Sequence, residues 1–273
     1  MSMDILIFVL IFILGSIIGS FLNVVIFRLN TGRTIVKGRS MCMTCGRKLY
    51  WYELVPIISF FMQRGRCRHC KIRISVQYPI VEILTGIIFM MLAYKFLIVS
   101  FFSLPSYIFL IVFFGIILSS FLVMVVYDIR HKIIPEKVLY VFIVFSIISL
   151  FVNTSGFGSL FIKPSLSSII AGPLLSFPFA LIWIVSRGKW MGLGDAKLVL
   201  GIGWLLGIAG ALCSLILSFW FGAVISIIIM IFSRRKVGMK TEIPFAPFLF
   251  IGIVLTFFLG LDISSLSYLF FIN

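Results

Sequence analysis

The sequence predicts an all-α polytopic membrane protein of about eight transmembrane helices, with a small cysteine-bearing loop domain after the first helix. Three observations carry that expectation. Of 273 residues, 62% are hydrophobic and only 11% charged, against roughly 25% charged in soluble domains. The mean hydropathy is +1.25. The 23 Lys and Arg cluster in short segments between apolar runs, as in loops held at an anionic membrane face. That placement gives the formal net charge of +15 its meaning: a match to anionic lipids and not to nucleic acid. The expected division is a first transmembrane helix at 1–27, a cytosolic loop domain at 28–78, and a seven-helix membrane domain at 79–273.

Ile5 to Phe27 is long enough to cross roughly 30 Å of hydrocarbon at 1.5 Å per residue. It has no basic region before it and no small-residue cleavage site after it, so it reads as a retained span and not a signal peptide. Gly15, Gly19 and Asn23 recur every four residues, which predicts a helix-packing face. Arg28 to Tyr78 is the one sizeable polar stretch, with 11 Lys and Arg against one acid, Glu53. The positive-inside rule places it in the cytosol and the N-terminus outside. It holds Cys42-Met43-Thr44-Cys45, then 21 residues, then Cys67-Arg68-His69-Cys70. Two C-x-x-C pairs near ribbon spacing, in a compartment that keeps thiols reduced, predict a structural Zn2+ site of four thiolates. Metal binding would supply the folding free energy that so small a loop lacks. His69 reads as a bystander, and the fifth cysteine, Cys213, stands alone in an apolar run.

Pro79 to about Phe102 is the second predicted span. Glu82, one turn inside it, is expected to pair with loop arginines or else to contribute to a polar site. The third runs from Tyr107 to Tyr127, and Asp128 then opens a basic turn, Arg130-His131-Lys132. Pro135 fits the first turn of a fourth span, ending near Val152. A polar loop from Asn153 to Ser165 leads to a fifth span, Leu166 to Val185, kinked at Pro173 and Pro178. Ala196 to Phe232 is too long for one span, and Gly203, Gly207 and Gly210 mark where it breaks into a sixth and seventh. Arg234, Arg235, Lys236 and Lys240 mark the basic side again. Ile243-Pro244-Phe245-Ala246-Pro247 opens the last span, ending near Phe271. This alternation puts both termini outside and leaves Lys163 as the single basic residue of the outer loops.

The alternation also puts two acids at one membrane face. Asp195 follows Gly192-Leu193-Gly194 at the mouth of an apolar run, and Asp128 ends another. A carboxylate at hydrocarbon depth costs several kcal/mol, about 2.5–3.5 on insertion scales. Two such groups point either to an aspartyl protease dyad or to helix-cap residues in short loops. A dyad works when two carboxylates share one proton, since like charges about 3 Å apart cannot both ionise. The ionised member activates water and the protonated one donates to the scissile carbonyl. Gly192 and Gly194 would let backbone come close to substrate and adopt positive φ.

The ordered motifs resemble the type IV prepilin peptidases, or leader peptidase/N-methyltransferases, over nearly the whole chain. The resemblance rests on Gly19-Ser20-Phe21-Leu22-Asn23-Val24 with Arg28-Leu29, on both C-x-x-C pairs, and on Pro56-Ile57-Ile58-Ser59. Arg64-Gly65-Arg66-Cys67-Arg68 and Tyr78-Pro79-Ile80-Val81-Glu82 follow. Asp128 with Ile134-Pro135, Gly192-Leu193-Gly194-Asp195 and Pro244-Phe245-Ala246-Pro247 complete it. Met43 stands where the family has Pro, and Glu53-Leu54-Val55-Pro56 replaces its usual Asp-Asn-Ile-Pro. The resemblance implies Asp128 and Asp195 as the catalytic pair of GxGD-type intramembrane aspartyl proteases. It implies cleavage of a short basic leader from prepilins and pseudopilins at the cytosolic face of the bacterial inner membrane. It also implies N-methylation of the new terminus with S-adenosylmethionine, an activity tied to the cysteine loop. Two other readings stand beside this one. A presenilin-like protease lacks the paired-cysteine loop. A proton- or cation-coupled transporter using the two aspartates would favour internal repeats, and none is evident in the sequence.

Overall fold

The computed structural model describes residues 2–32, 34, 38–99, 103–154, 159–232 and 244–264. The basic marks at Arg234, Arg235, Lys236 and Lys240, the approach at Ile243 and the expected end near Phe271 lie outside them. The described residues form helices and no named strand, so the all-α expectation holds. The helices are α1 (Ser2–Arg28), α2 (Ile58–Met62), α3 (Gln77–Val99), α4 (Leu104–His131), α5 (Glu136–Ser149), α6 (Leu166–Ser186), α7 (Leu193–Phe232) and α8 (Ala246–Leu259), with a 3-10 turn at Trp51–Glu53. Two compact units arise: α1 to α3 with the cysteine loop and the first half of α4, and the second half of α4 with α5 to α8.

In the first unit the glycines of α1 make its contact with α3. A Cβ on Gly15 would lie 2.9 Å from Gly86 Cα, and one on Gly19 would lie 2.7 Å from Glu82 Cα. Backbones this close need residues without side chains, the membrane counterpart of small-residue packing. Asn23, one turn on, is fully buried and donates to Gly19 O (3.3 Å) and Tyr78 O (3.1 Å).

In the second unit α6 and α7 meet in the same way, with a Cβ on Gly203 falling 2.6 Å from Gly172 Cα. The 40-residue α7 is two helices, broken at Gly207 (φ 69°, ψ −179°), so of the three candidate glycines this one makes the break. The last helix is shorter than expected. It stops at Leu259, where Gly260 takes a left-handed conformation (φ 63°) and hands its N–H to Thr256 O, a glycine terminator that a helix ends on readily. Pro135 is the residue before α5 and not part of its first turn.

Among the described residues five helical stretches are long and apolar enough to cross a membrane: Ile5–Arg28, Gln77–Leu97, Leu104–His131, Leu166–Ser186 and Leu193–Phe232. Among the described residues each predicted span contains an apolar helical segment. However, α5 and α8 have only 14 residues each, about 21 Å of helix, and segment 193–206 of α7 is as short.

Candidate active site

Asp128 lies inside the last turn of α4, which runs on to His131, so it does not open the loop. It is 6% exposed. Its Oδ2 accepts the amide of Ala246 at 3.3 Å. Ala246 begins α8, whose first-turn amides have no partner within their own helix, and Pro247 beside it has no N–H to satisfy. Asp128 is therefore a cap after all, but of a helix far along the chain. The Lys132 amide returns to the Asp128 carbonyl at 2.7 Å with Lys132 at φ 54°, a tight reversal that brings Ile134 and Pro135 to the start of α5.

Asp195 sits in the first turn of α7. Its amide donates to Gly192 O at 3.2 Å. A Cβ on Gly194 would lie 2.9 Å from Ile134 Cδ1 and 3.1 Å from Ile134 Cβ. Gly194 thus lets the start of α7 close on the segment that follows Asp128. Neither Gly192 nor Gly194 has positive φ, which corrects the expectation of left-handed backbone there. The end of α4 and the starts of α5, α7 and α8 converge, and Asp128 acts electrostatically on Asp195. Lys197 and Glu136 join α7 to α5 by an ion pair at 3.3 Å.

The cysteines form a second cluster. The four Sγ atoms of Cys42, Cys45, Cys67 and Cys70 lie within 4.8 Å of one another, and Cys42 and Cys70 are 3.8 Å apart. Sulfurs about 2.3 Å from a tetrahedral metal stand about 3.8 Å from each other, so the cluster fits a metal of that size. His69 is exposed and outside it. Two matching knuckles supply the ligands. The Cys42 amide donates to Arg47 O and the Gly46 amide to Cys42 O; the Cys67 amide donates to Ile72 O and the Lys71 amide to Cys67 O. Gly46 (φ 68°) and Lys71 (φ 57°) hold equivalent left-handed positions, and bridges Met41↔Lys48 and Arg66↔Arg73 close the knuckles. The chain does contain a short structural repeat, visible once the turns are superimposed by their hydrogen bonds. A hydrogen bond from the Cys45 backbone holds the Cys42 thiol down to about 6, while the Cys70 thiol, despite the hydrogen bond from the Ile72 backbone, is pushed up to about 11 by desolvation and by its neighbouring thiols.

Residues 13–96 match the family described as the Bacterial Peptidase A24 N-terminal domain, and residues 115–227 the Type IV leader peptidase family. A prepilin leader peptidase/N-methyltransferase of Bacillus subtilis is 30% identical over 234 residues, covering 85% of this chain and 86% of that one. One of Xanthomonas campestris is 32% identical over 80% of this chain and 71% of its own. One of Vibrio cholerae is 29% identical over 88% and 91%. The chain belongs to the prepilin leader peptidase family. No solved structure matches it, and the transporter reading finds no support among these relatives.

Within this peptidase family member the sequence reading missed three contacts. The Ala246 donor is a main-chain amide, which no residue type announces; only the Pro244-Phe245-Ala246-Pro247 motif hinted at a fixed turn there. Ile134 enters as a wall for Gly194 and not as a chemical group. Among the described residues Glu82 forms no ion pair with an arginine. It accepts the Ile57 amide at 2.7 Å, while the loop's Arg47 lies 3.6 Å from the buried Glu53.

Proposed function

We propose that this protein is a membrane aspartyl endopeptidase that removes the short basic leader from type IV prepilins and pseudopilins at the cytosolic membrane face. It also N-methylates the new terminus with S-adenosylmethionine. The observation that carries the cleavage half is the meeting of Asp128 and Asp195 where one helix ends and three begin. Asp128 has Oδ2 on the Ala246 amide, which leaves Oδ1 to face water or a shared proton. The pair holds one proton between them. The ionised carboxylate takes a proton from water as its oxygen attacks the scissile carbonyl. The other carboxyl gives its proton to the carbonyl oxygen, and breakdown returns a proton to the leaving amine.

The four cysteines hold Zn2+. Four thiolates fill a tetrahedral site and leave no position for water, so the metal is structural and the carboxylates alone activate the nucleophile. The basic loops face the cytosol and hold anionic lipid. The N-methyltransferase half rests on the relatives' names and on the match of residues 13–96 to the N-terminal domain of the family.

The test measures zinc stoichiometry and prepilin cleavage in parallel. Asp128→Asn and Asp195→Asn each abolish cleavage and remain folded and zinc-loaded. Full cleavage by either variant would end the aspartyl-protease reading.

A further inference from the structure

The apolar stretch between the two cysteine knuckles does not stay level with the helix ends. Helices α1 and α3 pair turn for turn. Asn23 donates to Tyr78 O, a Cβ on Gly19 would meet Glu82, and one on Gly15 would meet Gly86. Gly19 lies about 12 Å along α1 from Phe27, whose ring stacks on Tyr78 near the helix ends. The loop reaches this depth. The Ile57 amide lies 2.7 Å from the Glu82 carboxyl, and Trp51, Leu54 and Pro56 share a cleft of about 390 Å3 with Ile17 and Phe21 of α1. The chain therefore descends beside α1 from the first knuckle, turns at Ile57 and returns through α2 to the second.

What this stretch shows outward is apolar. Ile58, Phe61 and Met62 are 57%, 66% and 70% exposed, and Trp51 and Leu54 are exposed as well. Ile17 and Phe21, on the adjoining flank of α1, are exposed too, and α1 is long and apolar enough to cross a membrane. The two surfaces make one apolar strip that continues from the span onto the loop. Its rim has the opposite character. Arg47 and Arg68 lie over the rings of Tyr50 and Tyr52 at 5.2 and 5.0 Å, and Arg64, Arg66 and Arg68 are exposed just beyond Met62. Aromatic rings with basic groups above an apolar surface match the order of layers from headgroup to acyl chain.

Irregular backbone at hydrocarbon depth is tolerated only where its polar groups find partners. The amides of Leu54, Ser59, Phe61, Gln63 and Gly65 bond to carbonyls of the segment itself, and Pro56 has no N–H to place. Ile57 turns the chain at φ 61° and ψ −57°, a conformation that a β-branched residue adopts only under constraint. Its amide goes to Glu82, a buried acid of α3 that the Ser20 hydroxyl also touches. The four cysteine sulfurs, within 4.8 Å of one another, join the two limbs at the base. We propose that residues 51–62 form a re-entrant segment, held at its tip by Glu82, whose outer surface is seated in the acyl chains of the leaflet on the basic side. This placement is independent of leader cleavage and of methyl transfer.

The test uses the full-length, zinc-loaded protein in vesicles of phosphatidylcholine and phosphatidylglycerol that include a phospholipid with a diazirine on its acyl chain. Light fixes the probe to whatever the chains touch, and peptide mass spectrometry locates it. Residues 54–62 are expected to be labelled as heavily as the exposed face of α1, while the knuckles at 42–48 and 67–73 stay unlabelled. Glu82→Ala, which leaves the Ile57 amide without its acceptor, loses most of the label at 54–62 and keeps that of α1. Glu82→Gln, which still offers an oxygen, keeps both. Zinc content and melting temperature report folding, and should Glu82→Ala not fold, the unmodified protein decides alone. No label at 54–62, or label confined to 51–52, would leave the segment in water or among headgroups and overturn the proposal. Unchanged label in folded Glu82→Ala would overturn the part given to Glu82. Label that appears only at low protein density assigns the strip to a second copy of the chain, and label displaced by saturating prepilin assigns it to a substrate helix. Either result overturns the assignment to lipid.

Discussion

A methyl group on Gly194 would press on Ile134 at 2.9 Å from Cδ1 and 3.1 Å from Cβ. Overpacking of this kind costs about 1–3 kcal/mol, and here the backbone that yields carries Asp195. Gly194→Ala is expected to lower kcat for leader cleavage at least about tenfold. Adding Ile134→Val, which removes the Cδ1 atom, recovers part of it. Cleavage assays on the single and double variants check the coupling; equal rates for both would break the link between this contact and the dyad. At the two acids the outcome is different in kind. Asn at position 128 still accepts the Ala246 amide through its side-chain oxygen, so α8 keeps its cap while the shared proton is lost. Asp128→Asn should therefore melt within about 1 kcal/mol of the unmodified protein with no cleavage, whereas Asp128→Ala loses both cap and activity. Thermal unfolding beside the cleavage assay separates the two.

The cysteine knuckles stand or fall as elements. Each is a few residues of turn closed by one bridge, and of the four clustered cysteines only Cys67 is buried, too little surface to fold unaided. Cys42→Ser or Cys67→Ser is expected to abolish stoichiometric zinc and to expose the segment between α1 and α3 to protease. Methyl transfer falls with the metal, and cleavage persists in part, because both aspartates belong to the other compact unit. Elemental analysis with limited proteolysis tests this, and chelation should reproduce it. The cysteine cluster was legible in the sequence, because paired thiols at short spacing are a reactive arrangement that residue type alone exposes, and acids at the ends of apolar runs mark candidate sites for the same reason. The Ala246 amide, the Ile134 wall and the Ile57 turn were not legible. Each depends on main-chain position or on which surfaces meet, and those follow from packing over long sequence separation. The break in α7 lay between. Three glycines were equally able to provide it, and only the packing of Gly203 on Gly172 and of Gly210 beside Thr256 leaves Gly207 free to turn.

For the molecule as a whole, the proposed orientation drawn from the basic segments has the cysteine loop inside the cell and the loop around Lys163 outside. A Thr44→Cys protein is expected to react with an impermeant thiol reagent only after lysis, and Lys163→Cys in intact cells; the reverse pattern would invert the topology. The short helices have a further effect within the second unit. Helix α5, the first part of α7 and α8 each begin at the aspartate pair and then run for about 21 Å, some 9 Å less than the hydrocarbon layer. Segments of that length do not meet a full-thickness bilayer without cost; the lipid thins around them or water enters to fill the difference. A hydrolase that works at the edge of oil needs water delivered to it, and a layer thinned over these short helices would shorten that path. In reconstituted bilayers, cleavage should therefore rise as acyl chains shorten toward the length of these helices and fall as they lengthen.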